Sequence, residues 1–434
     1  MRKRDVAHGL ALAALDGVWH PAAIAKRMAA AIAIEDGPST QRIGRELVEA
    51  LEASGELEIV AAAIARSRGL RALWKKGALH VRVWHTPPPA PRSSRFDVPP
   101  LATTGDVAAL LELPIEKLEW LADVHGMNAR APDPRLEHYR YRWIAKRSGG
   151  ARLIEAPKPA LRSAQRRVLD RVLAHIPPHP AAHGFVSGRS VIEHARAHTG
   201  RAIVARLDLS TFFWSVAPAR LRGIFALAGY PREVSATLTG LATTATPSRA
   251  LAAMPPAGMD RFAVRRLLGD RHLPQGAPTS GALANLACFA LDRRLSGLAA
   301  RFGATYTRYA DDLAFSGDRG FARDIDRFLP RACAVAIEEG FAIQHRKTRV
   351  MRASTRQELC GVVVNAGTSV SRQELERLEA ILVNCARHGP ATQNREQHPD
   401  FRAHLTGRVA WIAQVAPHKA RRLERWLAQI EWPS

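Results

Sequence analysis

Two apolar stretches of this chain carry acid where a buried strand tolerates it least. In Ala205-Arg206-Leu207-Asp208-Leu209-Ser210-Thr211-Phe212-Phe213 a carboxylate sits between two leucines. In Thr305–Phe315 the adjacent pair Asp311-Asp312 follows Tyr309-Ala310, in the tight turn of a hairpin flanked by Tyr306, Tyr309, Leu313 and Phe315. Adjacent aspartates by themselves are ordinary in solvated turns. Between apolar strands, carboxylates are desolvated and repel one another unless a cation neutralises them. A fold that sets these strand ends side by side makes a divalent-metal site with Asp208, Asp311 and Asp312 as ligands. Carboxylates suit Mg²⁺, which keeps several waters and takes further ligands from substrate phosphates. Two such ions clamp the attacking and leaving oxygens of a phosphoryl transfer.

The rest of the composition narrows the substrate. The 434 residues include 63 Lys and Arg against 40 Asp and Glu, a formal net charge of +23. That excess predicts attraction to polyanions, weakening steeply as salt rises. With the three aspartates it points to a nucleic-acid polymerase. No GxxxxGK[ST] phosphate loop, His-Glu-x-x-His helix or Gly-x-Ser-x-Gly elbow occurs, which argues against the corresponding ATPases, metalloproteases and hydrolases. The four cysteines (Cys288, Cys333, Cys360, Cys385) lack paired spacing, so a reducing compartment with neither disulfides nor zinc is expected. No apolar run is long enough to span a bilayer, so no membrane partner is expected and the cytoplasm is the default location.

The clustered prolines of Thr86-Pro87-Pro88-Pro89-Ala90-Pro91 mark a linker, taken as residues 86–98. Before it, residues 1–85 form a small, mostly helical unit. Helical spacing recurs in Val6–Leu15, Ile24–Ile34 and Ile43–Leu51, and Leu79–Trp84 alternates like a strand. Three helices and a strand fit a winged helix or, equally, a docking bundle. Beyond the linker, Tyr139–Ile154 reads as a hairpin turning at Ser148-Gly149-Gly150, followed by a helix over Leu161–Ile176. A strand over Ala202–Leu209 delivers Asp208. One amphipathic helix spans Ala282–Leu298, and two helices, Gln373–Ala386 and Pro417–Ile430, close the chain.

Several residues around the aspartates have chemistry to offer. Lys146, Arg147, Arg152 and Lys158 surround the first hairpin, where cations on a flap can grip a triphosphate. A ring at Phe212-Phe213, just past Asp208, belongs either to the core or against a nucleotide sugar, where it excludes a 2′-hydroxyl by clash. In Leu273-Pro274-Gln275-Gly276-Ala277-Pro278-Thr279-Ser280-Gly281, Gln275 offers an amide and Gly276 allows close backbone approach. The last helix presents Lys419, Arg421, Arg422 and Arg425 as either a solvated face or a surface tracking a duplex.

The order of these segments resembles bacterial reverse transcriptases, and the retron type most closely. It runs from Ser148-Gly149-Gly150-Ala151-Arg152 through Ala182-His183-Gly184-Phe185-Val186-Ser187-Gly188-Arg189-Ser190, Leu207-Asp208-Leu209 and Leu273–Ser280. It continues with Tyr309-Ala310-Asp311-Asp312, then Gly340-Phe341 with Lys347-Thr348, and Leu405–Trp411. The resemblance implies an α+β right-hand polymerase, with fingers and palm over 99–365 and a helical thumb over 366–434. It assigns Asp208, Asp311 and Asp312 as catalytic, metal-binding carboxylates, Asp208 and Asp311 being the direct ligands in most relatives. It places Phe213 at the sugar gate, Gln275 at nucleotide and template, and Arg152 at the triphosphate; Gly276 and Lys146 join them as nucleotide-binding candidates on their own chemistry. Lys347 matches a lysine that protonates departing pyrophosphate, a general-acid role.

Further implications are two Mg²⁺ ions, dNTP substrates and a dedicated structured non-coding RNA copied into cDNA from an internal 2′-hydroxyl. The product is a branched RNA–DNA hybrid used in anti-phage defence, with an effector or toxin protein as a further partner. The roughly 70 residues after Gly361 are too few for the endonuclease that intron-encoded relatives often carry. Two motifs depart from the retron pattern. His194-Ala195-Arg196-Ala197-His198 has His where Asn is usual, and Leu359-Cys360-Gly361 replaces Val-Thr-Gly. Both motifs concern the cognate RNA in that family, which makes His198, with Arg421, Arg422 and Arg425, an RNA-binding candidate. An abortive-infection or intron-type enzyme, and a non-catalytic nucleic-acid-binding regulator, are the alternatives.

Overall fold

Strand pairing around Asp208 organises the larger part of the computed structural model. The structure describes residues 3–16, 18–32, 34–51, 56–75, 94–131, 133–145, 150–255 and 260–432. The chain divides into two units, Met1–Arg92 and Ser93–Ser434.

The first unit has helices over Lys3–Leu15, Pro21–Ala31, Pro38–Ala50, Leu57–Arg66 and Arg68–Lys75. They bury Leu10, Ile24, Met28, Ile43, Leu47, Val60, Ile64 and Leu70 in a core of their own. The last two helices were not anticipated from periodicity: Ser67 alone separates them, and an Ala-rich stretch carries a weak apolar stripe. The strand expected over 79–84, on which a winged-helix reading depends, lies outside the described residues.

In the second unit, β1 (Tyr139–Ala145) and β2 (Ala151–Pro157) pair antiparallel as the expected hairpin. The central sheet takes β3 (Ile203–Ser210), β4 (Thr305–Tyr309), β5 (Asp312–Gly317), β6 (Ala342–Ile343) and β7 (Arg349–Arg352). Its order is β4-β5-β3-β6, with β7 also on β3, all antiparallel. Strand alternation divides β3 between two cores. Ile203, Ala205, Leu207 and Leu209 enter the main core with Leu313, Phe315, Phe321 and Phe328, while Val204 enters a second core with Ala314, Val362 and Leu382. Burying such side chains on both faces, at about 1.5–3 kcal/mol for each large one, leaves little freedom to the strand ends carrying acid.

Two helical expectations need correction. The single helix over Ala282–Leu298 is two helices, Ser280–Ala287 and Phe289–Arg301, meeting at Cys288. Three helices close the chain rather than two: Arg372–His388, Phe401–Val415 and Pro417–Ala428. The added one is capped by Asp400, whose carboxylate accepts from Ala403 N–H at 2.8 Å. Among the described residues no helix is long and apolar enough to cross a membrane.

Candidate active site

Register places Asp208 of β3 directly opposite Asp312 of β5, so both side chains leave the same face at the sheet's end. Asp311 lies in the two-residue turn between β4 and β5, where Ala310 adopts φ +55°. The acidic backbone is tied to the sheet: Leu209 N–H donates to Asp311 O at 2.9 Å, and Gln344 N–H to Asp208 O at 2.8 Å.

Beneath the turn lies a fully buried ion pair. Arg308 grips Asp292 of helix Phe289–Arg301 through two bonds of 2.8 and 2.7 Å. Its Nη1 donates to Asn285 Oδ1 at 2.9 Å and to Ala310 O, inside the acidic turn, at 3.0 Å. Tyr306 O–H adds a 2.8 Å bond to Asp292. The guanidinium thus fixes the turn from below.

The three carboxylates have unlike surroundings. Lys347 Nζ reaches both oxygens of Asp208, at 3.0 and 2.8 Å. Asp312 is held by Arg206 Nε at 2.7 Å and receives the Cys360 thiol at 3.3 Å. Asp311 has no side-chain partner among the described residues. Burial foremost, then the charges of Asp312 and Asp208, push its carboxyl up to about 6. No cluster of three or more His, Cys, Asp or Glu among the described residues forms a ready-made cage. Repelling carboxylates settle on the nearest cations instead. An all-oxygen donor set with one half-buried carboxylate that no other side chain among the described residues engages fits a hard divalent ion, which needs only one or two protein carboxylates beside substrate phosphates.

The other expected residues lie on several elements of the second unit. Phe213 is half-buried, with its ring 5.2 Å from Phe212. Gln275 O accepts from Glu155 N–H at 2.9 Å, tying its loop to β2, and Gly276 takes φ +132°. A buried pair reinforces that seam, His272 Nε2 meeting Glu155 Oε2 at 3.0 Å. Arg152 is exposed on β2; Lys146 lies outside the described residues. Arg421 and Arg425 are exposed, whereas Arg422 pairs with Glu379.

His198, expected at an RNA surface, is instead fully buried. Its ring nitrogens share 2.7 Å hydrogen bonds with Ser316 and Thr307, and His194 Nδ1 reaches the same Thr307 hydroxyl at 2.7 Å. Burial, with repulsion from neighbouring cationic groups, holds His194 at about 2 and His198 at about 3, so both are neutral. These histidines brace β4 and β5 from behind and are out of reach of RNA.

Residues not singled out from sequence also shape the site: Arg206, Asp292, Arg308 and Gly184. The last lies against the acidic turn, where an added Cβ would come within 2.6 Å of Ala310 N. That neighbour is backbone already fixed by Arg308. Gly184→Ala is therefore expected to cut primer extension by about 10²-fold, the order seen when reacting groups move by an ångström, and to lower the melting temperature by the few degrees that about 1–3 kcal/mol of overpacking costs. Near-normal extension by this variant would show that the turn tolerates displacement.

Carboxylates at the end of an antiparallel sheet, in a chain with a basic hairpin before them and helices after them in sequence, fit a nucleic-acid polymerase. Residues 144–373 match the family described as Reverse transcriptase (RNA-dependent DNA polymerase). The retron Mx65 reverse transcriptase of Myxococcus xanthus is 41% identical over 332 residues, covering 76% of this chain and 73% of that protein. The retron Mx162 reverse transcriptase of the same organism is 37% identical over 342 residues, covering 75% and 66%. The retron Ec86 reverse transcriptase of Escherichia coli is 26% identical over 300 residues, covering 68% and 82%. Among solved structures, a telomerase from Candida albicans gives a TM-score of 0.34 at 10% identity, covering 56% of this chain and 50% of that one. A foamy viral protease–reverse transcriptase gives 0.33 at 13%, covering 68% and 43%.

The chain belongs to the reverse transcriptase family, as a retron-type RNA-directed DNA polymerase. That membership carries a divalent metal cofactor and nucleic-acid partners with it.

Proposed function

We propose that this enzyme copies a cognate structured non-coding RNA into cDNA from an internal 2′-hydroxyl, using two Mg²⁺ ions and dNTPs. The product is a branched RNA–DNA hybrid that acts in anti-phage defence with an effector or toxin protein. The observation that carries the catalytic part is the convergence of Asp208, Asp311 and Asp312 on one sheet end, with Asp311 half-buried and engaged by no other side chain among the described residues.

Asp208 and Asp311 hold the metals, and Arg206 anchors Asp312 beside them. Held by Asp208 and Asp311, Mg²⁺ would supply the chemistry of lowering the primer hydroxyl's pKa and neutralising charge on the leaving group. Lys347 Nζ lies against both oxygens of Asp208. With Asp208 engaged by a metal, that Nζ would be released and placed to protonate departing pyrophosphate. Arg152 and Lys146 take the triphosphate, Gln275 and Gly276 position the nucleotide against the template, and Phe213 excludes a 2′-hydroxyl. Exposed Arg421 and Arg425 contact nucleic-acid phosphates. Recognition of a folded RNA then rests on shape, phosphates and 2′-hydroxyls.

The test is to purify the protein from its native host and sequence the nucleic acid bound to it. A defined cDNA joined to RNA through a 2′–5′ branch, whose synthesis in vitro stops with chelator and resumes with Mg²⁺, is the expected outcome. Random-sequence DNA without an RNA branch would reject the retron product in favour of an abortive-infection polymerase.

A further inference from the structure

Phe185 is a large apolar residue in an unfavourable place. It is 57% exposed, and its backbone takes φ +59°, a region that bulky L-residues avoid. Such a conformation persists only where the surroundings over-determine it.

The surroundings do so here. The segment before Phe185 runs along the free edge of β4. Arg308 N–H donates to Ala181 O at 2.7 Å, and His183 N–H donates to Arg308 O at 2.8 Å. Gly184 presses on Ala310, and its carbonyl accepts from Asn285 Nδ2 at 2.8 Å. Asn285 is also a partner of Arg308, so one buried network fixes both the acidic turn and the backbone at Phe185. On another side the ring covers Gly281, where a Cβ would stand 2.6 Å from Phe185 Cγ. Its aromatic neighbour is Phe213, with centroids 5.8 Å apart and planes at 58°.

Phe213 is therefore flanked by Phe212 and by Phe185. Phe212 belongs to the core and is itself buried. Phe185 is the support on the solvent side, reaching Phe213 from a different segment that is anchored to the catalytic turn. Phe213 also packs against the main core and against the small cluster of Leu153, Trp214, Met254, Val264 and Leu268, so what Phe185 adds is the wall on the solvent side, where a half-buried ring is otherwise free to swing about χ1.

We infer that Phe185 is a positioning residue for sugar selection: its ring is the solvent-side wall that confines Phe213 and so sets the clearance at the 2′ position of the incoming nucleotide. This rests on the reading of Phe213 as the residue facing that sugar. It links deoxynucleotide selection to the loop that leans on the acidic turn.

The experiment measures kcat/KM of the full-length enzyme for one dNTP and its matching rNTP in single-nucleotide primer extension. Four variants are compared with the wild type. Phe213→Ala should abolish most of the discrimination. Phe185→Asn, which accepts left-handed backbone but has no ring, should lower the dNTP-to-rNTP ratio roughly three- to tenfold, the weight of one aromatic contact. Phe185→Tyr, which keeps the ring, should restore the ratio. Gly281→Ala, which displaces the ring with Phe185 itself unchanged, should lower it in the same direction. Loss of discrimination in Phe213→Ala with a wild-type ratio in both Phe185→Asn and Gly281→Ala overturns the wall. An equal loss of dNTP and rNTP efficiency in Phe185→Asn overturns it too, in favour of direct contact with template or primer. A wild-type ratio in Phe213→Ala instead overturns the gate on which the inference stands.

Discussion

Asp311→Asn should reduce primer extension about 10³-fold or more while RNA binding is retained. The variant removes a metal-binding charge worth several kcal/mol at the transition state, and leaves untouched the arginines exposed on the last helix. The same substitution should stabilise the protein in chelator. The Asp311 carboxyl stands at about 6, against an ordinary value of 3.8. A carboxyl that binds its proton more tightly when folded costs nothing below the unfolded value. It becomes unfavourable as pH climbs through the folded one. Metal-free wild type should therefore lose stability between about pH 4 and 6, by as much as roughly 3 kcal/mol. The Asn variant lacks that component, so the gap between the two in urea unfolding should open across this window and stay constant above it. Millimolar Mg²⁺ should close it by stabilising the wild type alone. Parallel curves for the two proteins at every pH would show that Asp311 is not under electrostatic stress, and full extension by the variant would remove it from the metal site.

The parts of this site that were legible in the sequence are those set by local alternation. Asp208 interrupts a run of β-formers, and Asp311-Asp312 interrupts two arms of aromatic and apolar residues, so strand, turn and acid are all written within about ten residues. Arg308 is in the same stretch, yet its role is not legible there. An arginine in a half-apolar strand reads as solvent-facing, and its partner Asp292 lies on a preceding helix, a pairing no spacing rule supplies. Gly184 and Phe185 share that difficulty, since their importance comes from what they touch across the fold. His198 failed for the opposite reason. Its family motif suggested RNA, but Thr307 and Ser316, which satisfy its nitrogens, are more than a hundred residues away. Helix Phe401–Val415 carries Leu405, Val409 and Ile412 at helical spacing, but Gly407 and the flanking polar residues dilute the stripe. Only the Asp400 cap announces its start. The fingers turn, with Lys146, lies outside the described residues, so triphosphate contacts there rest on sequence alone.

The Arg308–Asp292 pair offers the second large effect, because the two halves of its role can be separated. Removing one member, as in Asp292→Ala, leaves an uncompensated charge in a site that is completely buried. Such losses run to about 3–5 kcal/mol, so the melting temperature should fall by several degrees, and extension should fall with it. Replacing both members by apolar residues of similar volume, Arg308→Met with Asp292→Leu, removes the stranded charge and should recover much of the stability. It cannot recover the 3.0 Å bond to Ala310 O or the link to Asn285. The double variant should therefore melt near the wild-type temperature yet extend primers at least about tenfold more slowly, since a loosened turn misplaces Asp311. If extension returned together with stability, the arginine would be a packing residue and the turn would hold its shape without it. If neither returned, the pair's polar partners would matter more to folding than its charge. The predicted split, stability restored and catalysis not, is the outcome that identifies Arg308 as the residue fixing the catalytic turn.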